Sequence, residues 1–121
     1  HQEDIHRFDI ITATVYNIPT TTSTGETLDI VKRVIGLPGE TVQILKDGSI
    51  LIDGKKIEEP YGKEPIQNPG LATQPITLES DEYFVLGDNR NNSMDSRFKE
   101  VGNLRFSQLN GKIIYYHHLK K

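Results

Sequence analysis

Two segments carry side chains whose types and spacing exceed what strands and turns require. The first, Asp29-Ile30-Val31-Lys32-Arg33-Val34-Ile35-Gly36-Leu37-Pro38-Gly39-Glu40, sets a lysine into an apolar, β-branched run. Strand side chains alternate between faces, so Lys32 shares its face with Ile30 and Val34 while Arg33 points the other way. A lysine so placed either snorkels its ammonium to water or sits in a dry setting that favours the neutral amine. Pattern alone favours snorkelling. The neutral amine, however, is a general base, because burial can lower a lysine from about 10.4 toward the range where base catalysis works near neutral pH. Ser–Lys chemistry is then open to it.

The second segment, Gly87-Asp88-Asn89-Arg90-Asn91-Asn92-Ser93-Met94-Asp95-Ser96-Arg97, follows directly on an apolar run. Its bland reading is a loop whose Asx side chains cap their own backbone. A calcium loop starting at Asp88 fails, because its third position is Arg90, its sixth Ser93 rather than Gly, and its twelfth Lys99 rather than Glu. The histidines make no zinc set either. His117 and His118 are neighbours on an expected strand and face opposite sides, while His1 and His6 lie near a terminus.

The elements that must position these residues are strands bounded by Gly, Pro and Asx punctuation. Residues 10–16 and 28–35 form two β-branched runs, the second closed by Gly36-Leu37-Pro38-Gly39. Asp47-Gly48 and Asp53-Gly54 each separate short alternating runs (42–45, 49–52, 56–58), which predicts a β-meander, since Asp-Gly tolerates the positive φ of tight turns. From Pro60 to Thr77 the prolines predict an irregular surface excursion. Strands resume at 83–86 and 112–117, and 106–109 could form one short turn. The fold class is mainly β.

Composition narrows the function classes. The 121 residues carry Lys+Arg 14 against Asp+Glu 17, a net charge of −3, which gives no electrostatic footprint for nucleic acid. At 35% hydrophobic and 26% charged the chain is globular, with room for one core. The absence of cysteine removes disulfides, thiolate nucleophiles and Cys-ligated zinc. Apolar stretches such as Ile10-Ile11 fall far short of the roughly 20 residues a membrane span needs. The start at His1, in polar sequence running quickly into a strand, reads as an excised fragment.

Together the two segments resemble the type I signal peptidases, membrane-anchored serine proteases that cleave signal peptides from exported proteins. The family's lysine box reads Lys-Arg-hydrophobic-hydrophobic-Gly-hydrophobic-Pro-Gly-Asp, and Lys32 to Glu40 reproduces it with Glu40 in the acidic place. Its downstream box, Gly-Asp-Asn-x-x-x-Ser-x-Asp-Ser-Arg, is matched at every fixed position by Gly87 to Arg97. A weaker match is Arg7-Phe8-Asp9-Ile10-Ile11, where Phe8 replaces the family's usual glycine.

The resemblance implies a signal-peptidase-like antiparallel β-sheet or barrel core with a small hairpin and Pro-rich excursion. Residues 1–121 would be a single incomplete catalytic domain, with core strands in about 1–39 and 82–121 and the excursion in about 40–81. The compact excursion is similar to Gram-positive members. Lys32 would be the general base, Ser93 would orient it, and the pairs Arg33 with Asp88 and Asp95 with Arg97 would brace the loop. The family's nucleophile lies in an upstream Ser-Met-x-Pro box; Ser93-Met94 is not that box, since Asp95 follows. The chain alone is therefore expected to hydrolyse nothing. No metal or organic cofactor is implied. The implied partners are signal peptides with an Ala-x-Ala-like cleavage pattern and, through an anchor outside this sequence, the extracytoplasmic face of the cytoplasmic membrane. Exposed strand edges could let the fragment self-associate. The alternatives are a related Ser–Lys enzyme, such as a self-cleaving repressor domain or a peptidase for pilus proteins, and a non-enzymatic module that binds exported chains.

Overall fold

The computed structural model describes residues 1–16, 27–62, 64–99 and 101–113. Strands β1 (Ile10–Tyr16) and β2 (Thr27–Gly36) pair antiparallel from Ile10↔Arg33 to Tyr16↔Thr27. β3 (Thr41–Ile44), β4 (Ile50–Ile52) and β5 (Lys55–Lys56) follow as the expected meander. β6 (Ile76–Thr77) adds to β3, and β7 (Glu82–Leu86), β8 (Leu104–Arg105) and β9 (Leu109–Ile113) complete the strands of the described residues. They form a five-stranded sheet in the order β8-β7-β2-β1-β9 and a four-stranded sheet in the order β5-β4-β3-β6. All pairings are antiparallel.

The apolar pattern of each strand follows from what covers it. Tyr83, Phe84, Val85 and Leu86 of β7 are all fully buried. Phe84 and Leu86 pack with Ile35 and with Val42, Ile44, Ile50 and Ile52 of the small sheet, whereas Tyr83 and Val85 pack with Ile11, Ala13, Val15, Val34 and Leu104 on the opposite face. A strand covered on both faces has no reason to alternate, hence the unbroken apolar run. β1 is covered on one face, where Ile11, Ala13 and Val15 lie, and alternates with half-buried Thr12 and Thr14. At Gly36, where the β2–β7 register shifts, an added Cβ would come within 2.6 Å of Val42 and 2.9 Å of Leu78.

The Asp-Gly turns do what their chemistry allows. Asp53 (φ 53°) and Gly54 (φ 83°) both occupy the left-handed region, as a two-residue hairpin turn requires, and Gly48 (φ 89°) does so in the turn between β3 and β4. A single 3-10 turn at Phe106–Gln108 occupies the expected place. The segment 60–77 departs from the expected irregular surface excursion. Ile76–Thr77 pairs with β3, Gly70–Thr73 forms a 3-10 turn, and Ile66 and Ala72 are buried in the core under the small sheet. The prolines exclude a long ladder, but a two-residue strand and two buried apolar side chains fit between them. The last strand begins earlier than expected, at Leu109; residues 114–121, His117 and His118 among them, lie outside the described residues.

Candidate active site

β2 and β7 part company at the site. β7 pairs with β2 only over Arg33, Val34 and Gly36, so residue 32 is where the β7 neighbour ends and the outer half of β2 begins. That outer half, residues 27–31, is mostly exposed, with Leu28 at 50% and Val31 at 57%. Beyond Leu86 the chain leaves the sheet as the loop 87–97 and folds back over Lys32.

The loop is held from inside by Asp95. Its side chain is fully buried, and one carboxylate oxygen, Oδ2, accepts from the Gly87 N–H (3.0 Å), the Ser93 hydroxyl (3.0 Å) and Arg97 Nη2 (2.9 Å). The other, Oδ1, accepts from Arg97 Nε at 2.8 Å. Arg97 is 1% exposed and donates onward to the carbonyls of Arg90 (2.6 Å) and Asn68 (3.2 Å). Ser96, also buried, accepts from the Val85 N–H through its hydroxyl and donates its own N–H to the Val85 carbonyl, which ties the loop's return to β7.

Lys32 Nζ donates to Ser93 Oγ at 3.1 Å. Because the Ser93 proton points to Asp95, its oxygen is left to accept from the amine, and the polarity of the contact is fixed by the carboxylate behind it. Lys32 is half-buried, between the wet and dry settings the pattern left open, and its amine is engaged by Ser93. Burial pushes the amine below the ordinary lysine value; the Asp95 charge opposes this and the Arg97 charge adds to it. Gly87 permits the approach: a Cβ there would run into Ser93 Oγ and reach to 3.4 Å of Lys32 Nζ.

On the other face of β2, Arg33 makes a two-point pair with Asp88 (Nε to Oδ1 2.8 Å, Nη2 to Oδ2 2.7 Å) and donates to the Phe8 carbonyl at 2.8 Å. Tyr61 covers the Arg33 guanidinium, 3.8 Å from ring centroid to Cζ, and meets Phe8 at 5.4 Å between centroids. Phe8 has φ 75°, a left-handed backbone that costs an L-residue with a Cβ roughly 1–2 kcal/mol, so glycine suits this position. Here the Phe8 N–H to Val34 carbonyl bond (2.7 Å), the Arg33 contact and the ring contact hold the strained residue. A shallow cleft lined by Ile10, Val31, Lys32, Arg33 and Asp88 opens beside the pair.

The six residues that the resemblance named meet as three pairs, Lys32 with Ser93, Arg33 with Asp88 and Asp95 with Arg97, linked by the Ser93–Asp95 hydrogen bond and through Arg90, which contacts both Arg97 and Asp88. Four further residues were not singled out by the sequence. Arg7 binds Glu40 at two points, both 2.7 Å, clamping the start of β1 to the turn after β2. Arg90 and Glu59 form a second buried two-point pair at 2.6 and 2.8 Å. Arg7, Glu40 and Arg90 stand inside the quoted motifs, so a signal existed for them; Glu59 stands in none. Among the described residues no group of three or more His, Asp and Glu side chains could hold a metal ion, and no helix is long and apolar enough to cross a membrane.

Comparison with known proteins identifies the family. The family model described as signal peptidase, peptidase S26, matches residues 1–117. Signal peptidase I S of Bacillus subtilis (strain 168) is 39% identical over 102 residues, covering 76% of this chain and 54% of the relative. Signal peptidase I of Bacillus amyloliquefaciens is 48% identical over 80 residues, covering 60% of this chain and 43% of the relative. The chain therefore spans about half the length of these curated relatives. A crystal structure of a signal peptidase I from Enterococcus faecalis V583 superposes with a TM-score of 0.64 at 30% identity, covering 91% of this chain and 97% of that one. With the lysine box and the downstream box in contact on a mainly antiparallel β scaffold and a family match over nearly its whole length, the chain belongs to the signal peptidases of the peptidase S26 family.

Proposed function

We propose that these 121 residues are a single incomplete catalytic domain of a serine endopeptidase that removes signal peptides from exported proteins by a Ser–Lys dyad. The observation that carries the reading is the half-buried Lys32 amine, held below its ordinary pKa and fixed at 3.1 Å from Ser93 Oγ. One N–H of the neutral amine goes to Ser93, which leaves its lone pair for a nucleophile's hydroxyl proton.

The nucleophile is a serine outside this sequence, which contains no Ser-Met-x-Pro segment. Its oxygen attacks the substrate carbonyl as Lys32 takes its proton. That proton then passes to the leaving amine as the peptide bond breaks. Water, deprotonated in turn by Lys32, hydrolyses the acyl-enzyme. Substrate binds extended along the open edge of β2, where main-chain hydrogen bonds add a strand, with Ile10 and Val31 as apolar walls for small side chains in an Ala-x-Ala pattern. Arg33–Asp88 and Asp95–Arg97 are structural supports. The chemistry needs no metal or organic cofactor, and an anchor outside this sequence places the domain at the outer face of the cytoplasmic membrane.

Two results test this. The 121-residue chain alone is expected to release no product from a signal-peptide substrate under conditions where the full-length protein turns over; measurable cleavage by the chain would place the nucleophile within it and refute the assignment of the nucleophile to a serine outside this sequence. Ser93→Ala in the full-length protein is expected to lower kcat by roughly a hundredfold while KM stays within about twofold. An unchanged kcat would reduce Ser93 to loop structure.

A further inference from the structure

We infer that Glu59, outside the motifs that carry the family, is a positioning residue for the Lys32–Ser93 pair and acts through Arg90. The inference rests on the dyad reading above. Glu59 follows β5, in the segment that leaves the small sheet, and its side chain is 7% exposed against 2% for Arg90. A two-point carboxylate–guanidinium pair this buried fixes orientation as well as charge. Glu59 Oε2 also accepts from the Tyr61 N–H at 2.9 Å, turning the chain so that Tyr61 lies over Arg33. Gly62 then passes against the arginine so closely that a Cβ would meet Arg90 Nη1 at 2.9 Å and Cζ at 3.1 Å. Segment 59–62 thus grips Arg90 from two sides.

Arg90 hands this grip to the site. Its Nε donates to the Gly87 carbonyl at 2.6 Å, and its own carbonyl accepts from Arg97 Nη2 at 2.6 Å. Gly87 is held at its N–H by Asp95 and at its carbonyl by Arg90, and its bare Cα is the floor on which Ser93 Oγ and Lys32 Nζ rest. Without the Glu59 carboxylate, Arg90 is a buried cation whose next carboxylate is Asp88, already 3.9 Å from Nη2 and paired at two points with Arg33. Arg90 then turns toward Asp88, releases the Gly87 carbonyl, and the floor under the pair shifts. Displacements well under an ångström at such supports change turnover more than binding.

The test compares Glu59→Gln, Glu59→Asp and Lys32→Ala in the full-length protein, reading kcat and KM separately on a signal-peptide substrate and checking each variant by thermal melting. Expected are a fall in kcat of roughly tenfold or more for Glu59→Gln, with KM within about twofold, and recovery of most of kcat in Glu59→Asp, which keeps the charge. Parental kcat in a folded Glu59→Gln protein, a loss in KM alone, or no recovery in a folded Glu59→Asp protein would overturn the inference while leaving the dyad standing, provided that Lys32→Ala is inert. Cleavage surviving Lys32→Ala overturns the dyad reading, and this inference with it.

Discussion

Lys32→Ala in the full-length protein is expected to reduce cleavage by roughly a hundred- to ten-thousandfold or more, the share that a general base contributes, while cooperative melting is retained. Lys32 lies at the boundary between the covered and open halves of β2, so its removal leaves the core clusters intact. Lys32→Met separates the amine from the stem: it keeps the packing, loses the base, and should be equally inert. Its stability carries a sign that can be checked. The folded pKa of Lys32 is lowered, chiefly by burial, so the unfolded chain binds its proton more tightly. Charging Lys32 therefore costs stability below the folded pKa, and that cost fades as pH rises toward the unfolded value. The methionine variant should melt no lower than the parent at neutral pH, with its relative advantage shrinking in alkali. Parental turnover in either variant would refute the assignment.

Asp95→Ala should produce the largest loss of stability of any substitution at the site, about 3–5 kcal/mol by chemical denaturation, because it leaves a buried cation without its partner. Arg97 is 1% exposed and directs both Nε and Nη2 at this carboxylate. The Gly87 N–H and the Ser93 hydroxyl lose their acceptor at the same stroke. Removing both charges should cost less than the sum of the single losses, since the double variant no longer buries an uncompensated ion. A loss below about 1 kcal/mol for Asp95→Ala would mean that the pair is solvated rather than buried.

How much of this was legible depends on the distance between the residues that decide it. The limits of β1 and β2 follow from local β-branched runs, and the left-handed Asp53-Gly54 turn from local chemistry. β6 and β8 are two residues each and exist only because Thr41 and Tyr83, far away in sequence, offer them edges. Local pattern left Lys32 between wet and dry, and favoured wet; the contact that engages its amine comes from Ser93, 61 positions on. Motif resemblance named the residues on both sides of that contact. It could not name Glu59, whose partner is 31 positions away and whose own neighbours carry no motif.

Whether Lys32 works as a neutral base can be read by titrating its amine in the full-length protein with a 13C label at Cε, alongside the pH dependence of kcat/KM. A neutral base gives a midpoint below the ordinary lysine value of about 10.4 that coincides with the acid limb of the rate profile, where activity is lost as pH falls and the amine is protonated. A midpoint at the ordinary value, or an acid limb that persists unchanged in Ser93→Ala while the Lys32 midpoint moves, would contradict it.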